Sequence, residues 1–302
     1  MPPHAIRKPT PGDISILFFL TLIWASSFVA IKVAVPFTGP VWLAGMRVCI
    51  GFLVLIPWTL YRGLVLPTSP RTWMFLIGVS LLNITMPFLL ISWAELSISA
   101  GITSLLLATG PFIALVLSHL TTEDDKINIY KLIGIALGLT GVATVVGGEA
   151  ISNIGDSSLL AQLAVLGASL CYGVSGAMIR QIKDVPPTRL ATIILGLSSI
   201  ELLALGFYQG LPDFGTLDTQ AWFALLYLGL LPTGLATILR YRMIWTVGAS
   251  YFGLFMNLIP IFGVLMGAVL LSEHVAVSTV FALFFIVAGL FVARTNPARP
   301  SR

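Results

Sequence analysis

Ten stretches of this 302-residue chain are apolar for about twenty residues each: 14–34, 40–61, 72–94, 98–119, 129–147, 158–180, 188–209, 220–243, 247–271 and 277–293. A helix of that length crosses the roughly 30 Å hydrocarbon core of a bilayer. In lipid every backbone polar group must be satisfied within the protein, which leaves only helices and closed barrels. Barrel strands would appear as alternating segments of about 10 residues, whereas these runs are continuous, so they are predicted to be helices. Only 9% of the residues are charged and 57% are hydrophobic. A water-facing domain carries about 25% charged residues, so a soluble fold is excluded. The gaps between runs are too short to hold a separate domain.

The first run is read as a retained helix. It follows a short polar start, "MPPHAIRKPTPGD", and passes into "VPFTGPVW" without a small-residue cleavage site. Cys49 and Cys171 both fall inside apolar runs, where buried free thiols are expected and a disulfide framework is not. The net charge of +4 is spread as single cations between runs, a pattern that sets membrane orientation and does not make a nucleic-acid surface. With the N-terminus in the cytoplasm, the inner loops collect Arg7, Lys8, Arg62, Arg71, Lys126, Lys131, Arg180, Lys183, Arg189, Arg240, Arg242, Arg294, Arg299 and Arg302, which is 14 of the 16 cations. The outer loops hold acids such as Glu149, Asp156, Asp213 and Asp218. Lys32, at the outer end of the first run, and Arg47, inside the second, are the remaining two.

The chain repeats itself. A shift of 148 aligns "IWASSFVAIK" (23–32) with "CYGVSGAMIR" (171–180), placing Trp24 opposite Tyr172 and Ser27 opposite Ser175. At a similar shift "SISAGITSLLLATGPF" matches "VGASYFGLFMNLIPIF", with Pro111 opposite Pro260. "GPVWLAGM" is loosely answered by "PPTRLATI", and "LTGVATV" by "VAGLFVA". The predicted architecture is therefore an all-α integral membrane protein of ten transmembrane helices in two five-helix repeats, 14–147 and 158–293. Residues 1–13 and 294–302 are its cytoplasmic tails. Because five is odd, the second repeat is inverted. Inverted repeats place a site at their interface near the midplane and permit alternating access around it.

These same segments resemble the drug/metabolite transporter superfamily, in its ten-helix EamA-type branch, over essentially residues 14–293. The resemblance rests on "IWASSFVAIKVA", "GMR", "AGITSLLLATGPFIALVLS", "LIGIALGLTGV" and, most specifically, "NLIPIFGVLMGAVLLSEHV", in which Pro260 lies mid-helix and Glu273 at the helix end. The first-half counterpart departs from the pattern: His119 and Thr121–Thr122 stand where apolar or glycine residues are usual, although Glu123 keeps the acid. The resemblance implies a secondary transporter of small metabolites, with exporters of amino acids, nucleobases and drugs among its relatives. It also implies that the first helices of each repeat line a central cavity, which nominates Trp24, Ser27, Phe28, Tyr172 and Ser175. Helices five and ten are implied to lie away from that cavity. The Gly134, Gly138 and Gly141 face of helix five is accordingly read as scaffold or as contact to a second copy in a homodimer.

Polar groups at membrane depth are costly and mark function. Arg47 lies about two turns inside its helix. It can bind a substrate carboxylate, pair with Glu201, or snorkel to headgroups. Glu201 sits mid-helix in "LSSIELLAL" and is the candidate proton-coupling group, the alternative being a structural hydrogen bond to a neighbouring helix. Lys32 is read as an interfacial anchor or a contributor to an outer gate. Asn83 and Asn257 either bond across helices or touch substrate. Prolines 57, 87, 111, 232 and 260 interrupt helices, with Pro111 and Pro260 the expected hinges. His4, His119 and His274 form no metal-ligand grouping, and no HExxH, GxSxG or phosphate-cradling loop appears. Neither a metal, a cofactor nor a catalytic residue is expected, and the chain is not read as an enzyme. The expected function is export of an amino acid or related amphiphile across a bacterial cytoplasmic membrane, by proton exchange or facilitated flow. A flippase-like or purely structural membrane component is the competing reading. The expected partners are the substrate, membrane lipids and a second copy of the chain.

Overall fold

The computed structural model describes residues 7–121, 127–152, 157–212, 215 and 217–294. Expectations placed on His4, Thr122, Glu123, Lys126, Asp156, Asp213, Arg299 and Arg302 lie outside that range, as do the side chains of Thr121 and Glu149. Every regular element among the described residues is helical. In order they are α1 (Pro11–Tyr61), α2 (Pro70–Ser80), α3 (Met86–Ala94), α4 (Ala100–Leu107), α5 (Gly110–Thr121), α6 (Ile129–Ser152), α7 (Ser157–Ile179), α8 (Pro187–Gln209), α9 (Thr219–Leu228), α10 (Ala236–Val247), α11 (Ala249–Met256), α12 (Ile259–Leu270) and α13 (Val277–Arg294). Wide π-type turns, Leu81–Thr85 and Gly229–Leu235, join α2 to α3 and α9 to α10.

Nine continuous stretches among the described residues are long and apolar enough to cross a membrane. The first is α1, whose 51 residues would reach about 76 Å if straight, over twice the hydrocarbon thickness. It is not straight. Gly39 leaves helical geometry at φ 70° and ψ 161°, between Pro36 and Pro40, and divides α1 into two limbs. A positive φ is open to glycine without steric penalty, so the break falls there. Pro57, expected to interrupt a helix, lies inside the second limb, which runs on to Tyr61.

Burial is arranged for lipid. Phe284, Leu265 and Phe223 are exposed, while Ser80, Ser104, Ser169 and Ser198 are buried. With lipid outside, apolar exposure costs nothing, and hydroxyls turn inward to find partners.

The internal repeat reappears in the irregularities. Leu81 and Gly229, which open the two π-type turns, stand 148 residues apart. The break between α4 and α5 at Ala108–Thr109 has its counterpart between α11 and α12 at Asn257–Leu258, just before Pro111 and Pro260. Proline lacks the N–H that its helix requires, so the freed carbonyls need other donors. Thr233 supplies one: its hydroxyl donates to Leu228 O at 2.8 Å, the carbonyl four residues before Pro232. Side chains from neighbouring helices also donate to carbonyls within these irregular segments: Trp24 Nε1–H to Pro232 O at 3.1 Å, Thr21 Oγ1 to Phe255 O at 3.2 Å and Ser198 Oγ to Ser80 O at 3.2 Å. Broken helices are tolerated in a bilayer under this condition.

The glycine face of α6 is covered by α13. A Cβ on Gly134 would lie 2.6 Å from Gly289 O and from Ala293 Cβ, and one on Gly141 would lie 2.6 Å from Ile286. Of the two roles expected for this face, intramolecular scaffold is the one the packing shows.

Candidate functional site

A polar cluster collects between α1, α3, α4, the α9–α10 turn and the loop after α12. Arg47, on the second limb of α1, is 8% exposed. Its Nε donates to Thr233 Oγ1 at 2.9 Å, and its guanidinium carbon lies 4.1 Å from the centroid of the Phe88 ring. No carboxylate of the described residues comes within ion-pair distance of it. Glu95 and the hydroxyls of Tyr172 and Tyr227 are the groups within its electrostatic reach. Arg47 therefore faces the bundle interior and does not snorkel. Nor does it pair with Glu201.

Glu201, on α8, instead meets the first π-type turn. Ser80 Oγ lies 2.5 Å from Oε1, and Thr85 Oγ1 lies 2.5 Å from Oε2. Ser80 Oγ is also 2.8 Å from Ile77 O. The single hydrogen of Ser80 Oγ is shared between Ile77 O and the Glu201 carboxylate. The two charged groups are related by the repeat in an unexpected way. Thr85 and Thr233 hold matching places in the two π-type turns, and each is bonded by a charged side chain from the other half: Thr85 by Glu201, Thr233 by Arg47.

At one end of the cluster the α3–α4 connection is held by two opposite charges. Lys32 donates from Nζ to Glu95 O at 2.5 Å and Ile98 O at 2.8 Å, the carbonyls that follow α3. Glu273 accepts from Ala100 N at 2.7 Å and Gly101 N at 3.1 Å, the first amides of α4. Each charge complements the dipole of the helix end it meets. Glu273 is aimed there because α12 ends in a tight reversal, with Ser272 at φ 54° and Glu273 N donating back to Gly267 O at 3.2 Å. Between these two anchors stands Glu95, 0% exposed, with no hydrogen-bond partner on either carboxylate oxygen.

The other expected residues are placed as follows. Trp24 is half-buried, packed edge-on against Phe252 with ring centroids 6.0 Å apart, in an apolar cluster with Leu20 and Met243. Phe28 is buried near Gly263. Ser27 is buried and bonds its own helix at Trp24 O. Its neighbour Ser26 reaches across the bundle, 2.6 Å from Tyr227 Oη. Tyr172 packs among Ile31, Leu43, Ile91 and Leu228. Ser175 donates towards Asn83 Oδ1 at 3.1 Å, inside the first π-type turn. Asn257 lies apart from the cluster, accepting from Arg294 at 3.2 Å at the α11–α12 break. An apolar cleft of about 380 Å³ is also apart; Ile261, Val280, Phe284 and Phe291 line it on α12 and α13. No group of three metal-ligating side chains occurs among the described residues.

Sequence reasoning missed Glu95, Thr233, Ser80, Thr85, Phe88 and Tyr227, and of these Glu95 alone gave a signal. Glu95 is the only charged side chain between Arg71 and Glu123. Thr233 gave none, since an isolated threonine in an apolar run is unremarkable until its partner is known.

The EamA-like transporter family model matches residues 11–147 and again 159–295. The chain belongs to the EamA-like transporter family. Both halves match the same family, which is a transporter family and not an enzyme family, and this transporter is a multi-pass integral membrane protein. It is 26% identical to the uncharacterized transporter YoaV of Bacillus subtilis (strain 168) over 275 residues, covering 90% of this chain and 93% of that one. It is 23% identical to protein PagO of Salmonella typhimurium (strain LT2), covering 94% and 95%. The uncharacterized inner membrane transporter YedA of Escherichia coli (strain K12) is 30% identical over 138 residues, 45% of this chain and 44% of that one. A crystal structure with 20% identity superposes with a TM-score of 0.65 over 94% of this chain and 97% of the other, a likeness of fold alone.

Proposed function

We propose that this EamA-like transporter exports a small amphiphile bearing a carboxylate, an amino acid being the leading candidate, across a bacterial inner membrane. The observation that carries this reading is Arg47: a buried guanidinium whose hydrogen bond goes to a neutral hydroxyl and which meets no carboxylate. An unpaired buried cation is strongly unfavourable, and intramembrane charges are retained for pathways and binding sites. The aromatic rings of Phe88, Tyr172 and Tyr227 around it suit the apolar portion of an amphiphile.

Access alternates in this reading. The two limbs of α1 are separate crossings, which makes ten in all, with both termini cytoplasmic by the distribution of Lys and Arg. The Lys32, Glu95 and Glu273 end is then the outer end, closed here, and the breaks at Pro111 and Pro260 are the hinges. The Glu201 carboxyl is the coupling group, supported by its place in the middle of α8 against the Ser80 and Thr85 hydroxyls of the first π-type turn. A lipid flippase would need an amphipathic groove open to the bilayer. The α12–α13 cleft is lined wholly by apolar residues, which favours the carboxylate reading over that one.

Flux of a labelled amino-acid panel in proteoliposomes, with and without an imposed pH gradient, is the test. Gradient-driven movement of one class is expected. Absence of flux for every amino acid, with movement of a fluorescent lipid between leaflets, would overturn the reading in favour of a flippase.

A further inference from the structure

Glu95 plays no part in the reading of Arg47, and its surroundings ask for a cation. Its two carboxylate oxygens are fully buried and bonded to nothing among the described residues. The charged groups that face it are Lys32 and Arg47 from the two limbs of α1 and Glu273 from the loop after α12. Lys32 directs its ammonium at the main-chain oxygens of Glu95 and Ile98, and Glu273 is held by the amides of α4. Each of those two has hydrogen-bond partners within the fold. Arg47 and Glu95 are left, one cation with donors to spare and one anion with acceptors to spare, on the same polar cluster.

We propose that Glu95 receives the ammonium group of a zwitterionic substrate whose carboxylate rests on Arg47. The assignment depends on Arg47 being the carboxylate receptor, and adds to it the requirement for a free amine. Charge supports it. A zwitterion brings no net charge into the buried cluster, and its carboxylate and ammonium complete the hydrogen bonding of both unfilled groups. A simple carboxylate or a simple amine would leave one of the two unpaired in a medium of low dielectric, where that is most costly. A site built to bond a substrate N–H rejects the analogue that lacks it.

The experiment uses the full-length transporter in proteoliposomes, with labelled α-, β- and γ-amino acids, their N-acetyl derivatives and the corresponding decarboxylated amines. For the wild type, uptake efficiency for one free amino-acid class is expected to exceed that for either analogue by at least about tenfold. Glu95→Gln should bring the amino acid and its N-acetyl derivative within about twofold of each other, while Arg47→Gln should do the same for the amino acid and the amine. A purely structural Glu95 would lower all rates together and leave the ratio unchanged, which would overturn the proposal. Should Glu95→Gln fail to fold, Glu95→Asp and the wild-type panel decide, since equal wild-type transport of free and N-acetylated forms overturns it equally well. In that last outcome, loss of both activities in Arg47→Gln would leave the carboxylate reading standing. Transport of no member of the panel would overturn both.

Discussion

Arg47 and Glu201 are chemically opposite but structurally alike, each a charge brought against a threonine in a π-type turn of the other repeat. Their variants should differ in kind. Arg47→Lys keeps the charge but loses the planar fork that allows one side chain to hold Thr233 and a carboxylate together. Its apparent affinity for a carboxylated substrate is expected to fall about 10- to 100-fold, the range for a charged hydrogen bond, with folding intact. Equilibrium binding by calorimetry in detergent checks this, and unchanged affinity would remove Arg47 from the site. Glu201→Gln keeps a side chain able to bond Ser80 and Thr85 but cannot exchange a proton. Transport should continue and no longer respond to an imposed pH gradient. Wild-type gradient dependence in that variant would return Glu201 to a structural role.

At the scale of elements, the glycine-packed pair α6–α13 and the proline-interrupted helices, the proposed hinges, are held by different contacts. The α6–α13 pair is locked by glycine contact: Gly134 and Gly289 each bring a backbone carbonyl within 2.6 Å of where the other would place a Cβ. Gly134→Leu must push these helices apart. The expected cost is about 1–3 kcal/mol, typical of overpacking, read as a lower melting temperature in detergent with substrate selectivity unchanged. Altered selectivity would mean that this pair is not mere scaffold. The α9–α10 turn and the α11–α12 break are different, since prolines interrupt the backbone ladder there and side chains from α1 add donors, Trp24 to Pro232 O and Thr21 to Phe255 O. Trp24→Ala removes one such donor, to Pro232 O, and should impair transport more than an equally apolar substitution in α6 or α13. Equal effects would mark Trp24 as packing alone.

For the whole molecule, the proposed alternation of access makes closure of the Lys32 and Glu273 end depend on their contacts with the α3–α4 connection. Lys32 on the carbonyls after α3 and Glu273 on the amides of α4 fasten the α3–α4 connection to the first limb of α1 and to the α12–α13 loop. Lys32→Ala should release that end. Ile98, buried at 4% exposure, provides the report: Ile98→Cys, with Cys49 and Cys171 replaced, should react several-fold faster with a membrane-impermeant maleimide when Lys32 is absent. Identical labelling rates would show that other contacts close this end.

The membrane class, the helical architecture and the two-part repeat were all legible in the sequence, because hydrophobic length and period report directly on burial in lipid. The breaks at Pro111, Pro232 and Pro260 were legible too, since proline announces the hydrogen bond it cannot make, whereas Pro57 lies inside a helix that continues through it. The place where the first two runs join as α1 and part again at Gly39 was less so, for an apolar run does not reveal the φ of one glycine. Contacts between distant residues were not legible at all. That Arg47 would meet Thr233 and not Glu201, that Glu201 would meet Ser80 and Thr85, and that Lys32 would turn inward to main-chain oxygens depends on how the two repeats pack. Sequence spacing fixes which side chains share a helix face, but partners 100 or more residues apart are chosen by the packing of whole helices. Glu95 shows the difference most plainly. The sequence marked it as a lone acid in a long apolar region, and only the tertiary structure left it buried beside Arg47 with both oxygens unfilled.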